Sequence, residues 1–163
     1  ALHHHCMWDE ASGGWFTGDT FGTSYREFDH AGRSYILPTT TPVQFDPPAW
    51  QASLDRMLET APRYMYLTHY GRVDDVPRLA GELRASLDAY VGIARAADGR
   101  PDRGAWLRQQ LLAYHLDELR ERQHPMAEAL MRTLLAPDVE VNAQGLEDWL
   151  DRMRARTASG AQG

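Results

Sequence analysis

Two short stretches end on side chains of the kind that hold metal ions. Phe16-Thr17-Gly18-Asp19-Thr20 delivers a carboxylate at a sharp glycine turn, and Tyr66-Leu67-Thr68-His69-Tyr70-Gly71 delivers an imidazole after an apolar run. Carboxylate oxygen and imidazole nitrogen are natural ligands for Zn²⁺ or Fe²⁺. The two oxygens of one carboxylate can each serve a different ion. A strand end is rigid, which suits a site that must hold its geometry. Taken singly, neither stretch is specific: a strand-end Asp more often closes a turn, and a strand-end His more often lies on the surface. Their weight comes from occurring together, in order.

Other candidates stand close to these two. Residues 20–45 form a long loop rich in Gly, Thr, Ser and aromatic residues, and it carries Tyr25, Arg26 and Arg33 near Asp19. Loops of that length in a compact domain usually serve a function or cover something. Rings and guanidinium groups there suit an anionic substrate, although packing of the loop is the commoner role. Tyr70 comes directly after His69. His3, His4 and His5 run straight into Cys6, and the plain reading is a strand start with exposed imidazoles. His115 and His124 fall on helical patterns and read as packing or surface residues.

The elements that must position these groups are readable from periodicity. His5 to Asp9 and Trp15 to Thr17 read as short strands joined by the Gly13-Gly14 turn, a hairpin. Asp46-Pro47-Pro48 is a helix start with Asp as its cap and Pro preset in the first turn. Trp50, Leu54, Met57 and Leu58 form its apolar face, and Pro62 ends it. Tyr64 to Thr68 reads as a buried strand. From Asp75 onward the pattern is helical. One stripe runs from Val76 to Ala94 and breaks at Asp98-Gly99-Arg100-Pro101. A second carries Leu107, Leu111, Tyr114 and His115, and a third spans Met126 to Leu135. A fourth holds Leu146, Trp149, Leu150 and Met153, with Asn142 as its possible cap. The small polar residues from Thr157 onward are expected to fray.

Bulk composition removes several classes of function. The 163 residues carry a net charge of −6, which gives no electrostatic grip on nucleic acid or anionic lipid. All 17 basic residues are Arg. No apolar run approaches membrane-spanning length, so no membrane is expected as partner. The single Cys6 excludes an internal disulfide framework and fits a reducing compartment, hence a cytoplasmic location.

With these stretches in order, the chain resembles the last part of the metallo-β-lactamase superfamily, in particular its glyoxalase II-like members. Phe16-Thr17-Gly18-Asp19-Thr20 resembles the family's FTGDT motif, whose Asp bridges two metals. Leu67-Thr68-His69-Tyr70-Gly71 resembles the segment bearing its final metal-binding His. His3-His4-His5-Cys6 resembles the segment just after the family's TPGH motif, a register that places His4 near the site. The resemblance covers about residues 1–75, and the helices beyond have only a general likeness.

The resemblance implies an α/β fold, the C-terminal half of an αββα sandwich over residues 1–74, followed by a helical region over residues 75–163. It implies Asp19 and His69 as metal ligands. His4, Tyr25, Arg26 and Tyr70 would support them or contact a small-molecule substrate, and no catalytic residue is assigned. It implies zinc or iron, dinuclear in the complete protein, and hydrolysis of a thioester, ester or lactone. The family's H-x-H-x-D-H signature does not occur here, and in the Cys6 register one metal-binding His would fall ahead of Ala1. Two ligands cannot close a Zn²⁺ site, which takes three or four. The chain is therefore expected to be a fragment, with a second chain or self-association covering the sheet edge near residues 5–17. The rival expectation is a non-catalytic helical interaction module built on residues 75–156, with the first part a degenerate remnant.

Overall fold

The computed structural model describes residues 5–40 and 45–160. They form a mixed α/β structure of four short strands and four α-helices. In chain order these are β1 (Met7–Asp9), β2 (Gly14–Phe16), α1 (Pro47–Leu58), β3 (Tyr64–Tyr66), β4 (Arg72–Val73), α2 (Val76–Ala97), α3 (Arg103–Glu121) and α4 (Glu128–Gly160). Among the described residues no helix is long and apolar enough to cross a membrane. Contacts divide the described residues into two compact units. The first lies within Ala1–Thr39 and Asp46–Asp88, the second within Thr40–Phe45 and Ala89–Gly163. The division falls inside α2, whereas the change of sequence character lies near residue 75.

In the first unit the strands pair in the order β1-β2-β3-β4. The expected hairpin is present, with Trp8 opposite Trp15 in antiparallel β1 and β2. β2 and β3 run parallel, Trp15 facing Met65, and β3 pairs with the antiparallel β4. β4 has only two residues, too few for a period-2 pattern, and was not anticipated. Its Val73 is buried beside Met65 in register.

α1 begins as its sequence demands. The Asp46 carboxylate accepts the Ala49 N–H at 3.0 Å, and Pro47 and Pro48 occupy the first turn, where a missing N–H is harmless. Trp50, Leu54 and Met57 are its buried face. The Trp15 indole N–H reaches the Met57 carbonyl at 3.2 Å and the Thr60 hydroxyl at 2.9 Å, tying β2 to the end of α1.

The described part of the long loop is packed. Phe21, Phe28, Tyr35, Ile36 and Leu37 are buried, and Thr23 and Leu37 exchange two backbone hydrogen bonds at 3.0 and 2.9 Å. Gly22 has φ +73°, and a Cβ there would fall on the Leu37 carbonyl, so any other residue pushes the loop off itself. Arg26–Phe28 adds one 3₁₀ turn.

The second unit is helical. Leu107, Leu111, Leu116 and Leu119 of α3 and Met131, Leu135, Val139, Ala143 and Leu146 of α4 are buried. Arg103 bonds Asp151 at 2.8 and 2.9 Å, and Arg108 bonds Glu140 at 2.5 and 2.9 Å, so α3 and α4 run in opposite directions. The third and fourth helices expected from the sequence are one helix, continuous through Pro137. A mid-helix Pro costs about 3 kcal/mol. Pro137 is exposed, however, and the apolar row Leu135, Val139, Ala143, Leu146 stays buried on both sides of it. That burial outweighs the lost bond.

Asn142 is accordingly no cap. It lies inside α4, almost fully buried, and its Oδ1 accepts the Thr40 N–H at 2.6 Å and the Thr40 hydroxyl at 2.9 Å. One turn on, Gly145 lets Thr40 approach: a Cβ there would collide with the Thr40 carbonyl. α4 extends to Gly160, three residues past the point where fraying was expected.

Candidate functional site

Because β2 and β3 are parallel neighbours, both chains leave the sheet at the same end. The Thr17 N–H continues the pairing to the Tyr66 carbonyl at 3.1 Å. The chain then turns sharply: Gly18 takes φ +54°, and the Thr20 N–H returns to the Thr17 carbonyl at 3.0 Å. This is the conformation that the Thr17-Gly18-Asp19 order suits, since only glycine adopts it without a steric cost. The Thr39 hydroxyl clamps the Asp19 carbonyl at 2.8 Å, and the Gly22 N–H reaches the same oxygen at 3.0 Å.

His69 is presented by the loop between β3 and β4. The Leu67 N–H bonds the Gly71 carbonyl at 3.1 Å, closing a tight turn with His69 near its tip. Tyr70 has φ +68°, a left-handed conformation that costs a non-glycine residue free energy, and Gly71 has φ +88°. Strain of this kind gathers where a side chain must be held in a set direction.

Asp19 and His69 therefore meet. His69 Nε2 lies 3.8 Å from Asp19 Oδ1, with 60% of the histidine side chain and 24% of the aspartate side chain exposed. That separation is too long for a hydrogen bond. It suits two ligands of one ion, since atoms about 2.1 Å from a shared cation lie on the order of 3–4 Å apart. Two ligands are fewer than a closed site needs, and the described residues contain no group of three or more His, Cys, Asp or Glu placed to hold a metal. The donor types and spacing fit a divalent ion, and the number does not complete one.

The other expected residues divide. Tyr25 and Tyr70 come together, ring centroids 4.3 Å apart, and Tyr70 adjoins the His69 ring at 6.3 Å. They make an aromatic wall beside the imidazole. Arg26 is occupied by its own loop, bonding the Ser24 hydroxyl at 2.9 Å and pairing with Asp29 at 3.2 Å. Arg33 pairs with Glu82 at 3.6 Å. His4 lies outside the described residues. Cys6 does reach this end of the sheet, its thiol directed to the Thr17 carbonyl at 3.4 Å.

Thr39 was not anticipated. Its hydroxyl supports Asp19 through the backbone carbonyl, and a lone threonine carries no local signal for that role. His115, read as packing or surface, is packing: it has no exposed surface, and its Nε2 lies 2.5 Å from the Tyr90 hydroxyl.

Neither a family model, nor a curated protein, nor a solved structure matches the chain.

Proposed function

We propose that this chain is part of a metal-dependent hydrolase of thioesters, esters or lactones, its sheet being the C-terminal half of a metallo-β-lactamase sandwich. One observation carries the reading: Asp19 and His69, each just past a parallel strand, direct an oxygen and a nitrogen to within 3.8 Å of each other. In this reading Asp19 and His69 hold zinc or iron, dinuclear in the complete protein, and the remaining ligands come from outside the described residues. The ion supplies Lewis acidity toward a carbonyl. Asp19 contributes a carboxylate oxygen from a backbone held by the Thr39 clamp, and His69 a ring nitrogen aimed by the strained Tyr70 turn. Tyr25 and Tyr70 exclude water from one side of the small-molecule substrate.

The same reading calls for a cover. Among the described residues β1 has no neighbour on its outer side, and Met7 and Phe16 are exposed on the sheet. A second chain or a second copy pairing there removes an edge that otherwise invites aggregation. The lone Cys6, free of any disulfide, and the net charge of −6 fit a cytoplasmic enzyme that does not bind nucleic acid.

Metal analysis tests it. Protein purified without chelator is expected to carry about one or two transition-metal ions per complex, and His69→Ala and Asp19→Ala are each expected to lose metal while keeping their fold. A preparation that holds no metal and hydrolyses no thioester or lactone ends this reading. The alternative, a helical interaction module, draws on Leu130 and Val141, which stand half exposed on α4. It gains if metal is absent and substitution of those two residues releases a bound protein.

A further inference from the structure

A cleft of about 630 Å³ opens between the last turn of α2 and the C-terminal third of α4, within the helical unit. Its floor is apolar and fixed. Trp149 and Leu150 are 7% and 5% exposed, and the Phe45 ring braces Trp149 edge-on at 5.8 Å. The Arg152 guanidinium in turn holds the Phe45 carbonyl at 3.0 Å. Met153, 43% exposed, stands at the rim with a flexible thioether that can adapt to whatever lies against it.

The charges at the mouth do not cancel. Asp98 is taken by Arg154, whose Nε reaches its Oδ1 at 2.7 Å and whose terminal nitrogen lies 2.5 Å from the same oxygen. Arg95 also lines the cleft, is exposed, and has no acidic partner among the described residues. One uncompensated guanidinium thus stands over an apolar floor, in a protein whose net charge is −6. A general attraction for anions is therefore absent, and selectivity for one must be local. A planar guanidinium fork matches a carboxylate in two parallel hydrogen bonds. The volume falls in the range of sites for small molecules, roughly 300–1,000 Å³.

We infer that this cleft is a binding site for an amphipathic monocarboxylate, a medium-chain acyl acid whose head pairs with Arg95 while its chain lies on Trp149, Leu150 and Met153. The inference is independent of the metal reading, since it uses none of the strand-end residues. It combines two requirements that an ordinary surface groove does not meet together. The apolar floor is already braced through Phe45 and Arg152, so little ordering accompanies binding. The Arg95 cation sits where it can neutralise the one polar end of the ligand.

Calorimetric titration of the whole chain with decanoate, kept below the concentration at which decanoate aggregates, tests it. The expected result is saturable one-to-one binding, weakened at least about tenfold by Arg95→Glu and likewise by Met153→Glu. Decanol, with the same chain and no charge, is expected to bind at least about tenfold more weakly than decanoate. Both substitutions are at exposed positions, and circular dichroism checks that each variant keeps its helix content. Arg95→Gln serves in place of Arg95→Glu if the acidic variant unfolds. Absence of saturable binding overturns the inference, as does binding that either folded variant leaves intact. Decanol binding as tight as that of decanoate overturns it too.

Discussion

His69 sits on a turn with most of its imidazole in solvent and an aspartate oxygen 3.8 Å away, whereas His115 has no exposed surface and lies 2.5 Å from a tyrosine hydroxyl. The two environments place the same side chain in opposite settings. Around His115, the Asn142 amide reaches the Tyr90 oxygen at 3.4 Å, and Asn142 also anchors Thr40 through its other end. Because the Thr40 N–H can only donate, the Asn142 oxygen faces Thr40 and its NH₂ faces Tyr90. The Tyr90 hydroxyl proton is then free to go to His115 Nε2. Burial pushes His115 down from 6.5 to about 3, and burial, then Asp138 and Tyr114, push the Tyr90 hydroxyl well above its ordinary range. Both shifts favour the neutral forms at neutral pH, which suits a packed hydrogen-bonded cluster. A histidine available for ligation must instead keep a face open, and the rigidity has to come from the backbone under it, as it does at Tyr70 and Gly71.

Exchanging the two losses gives the largest expected effect. On the proposed metal reading, His69→Ala is expected to lower hydrolysis by about a thousandfold or more, equivalent to about 4 kcal/mol, and to leave thermal stability nearly unchanged. His115→Ala is expected to leave the rate within about twofold while costing on the order of 3 kcal/mol of stability, through a cavity and the broken bond to Tyr90. Steady-state hydrolysis and urea unfolding, measured on both variants, decide it. A stable, fully active His69→Ala protein would break the contrast at its functional end.

A smaller effect comes from acid. Because His115 is held neutral in the folded chain, the unfolded chain takes up a proton that the folded chain refuses. Its contribution is whole above about pH 6.5 and drains as pH falls from 6.5 toward about 3. The loss approaches about 1.4 kcal/mol per pH unit inside that window. The urea midpoint is therefore expected to drop between pH 7 and pH 5, before the carboxylates held low by Arg partners, such as Glu128 beside Arg120 and Arg132, begin to titrate. A His115→Phe variant that folds is expected to lack the decline in that interval. An unchanged pH profile in that variant would mean another group titrates there.

The smallest of the three is Tyr90→Phe, which keeps the ring and deletes only the hydroxyl. About 1 kcal/mol of stability is expected to go. The acid sensitivity should remain, since burial and not the hydroxyl depresses His115. Urea unfolding at pH 7 and pH 5 measures both quantities in one experiment.

The features legible in the sequence are those the chain encodes locally. The Gly13-Gly14 hairpin, the Asp46 cap with its two prolines and the apolar rows of α2 and α3 each depend on residues a few positions apart, and each formed as read. So did the approach of Asp19 to His69, because both lie just beyond an apolar strand and the strands are neighbours. The features that escaped depend on distant partners. Pro137 signals a helix end to its neighbours in sequence, and only the buried row on either side overrules it. Asn142 looks like a cap until Thr40 is brought to it. Thr39 is one polar residue among several until its hydroxyl is found on the Asp19 carbonyl. The metal, the substrate and the covering partner belong to the family resemblance, and their experimental counterparts are the metal analysis and the exchange of histidines.

The parallel pairing of β2 with β3 also shapes how the chain reaches its native state. Parallel neighbours cannot be joined by a tight turn, and here Gly14 must find Tyr64 across the packed loop and the whole of α1. Closing so long a loop has an entropic cost before any sheet contact repays it, and non-local pairings of this kind slow folding. α3 and α4, by contrast, are joined by a few residues and zip through contacts such as Arg120 with Glu128. During refolding, helix signal is expected to recover first, with Trp15 reporting the sheet later. The Asp19–His69 pair, which exists only once β2 and β3 are registered, would then be among the last features of the molecule to form.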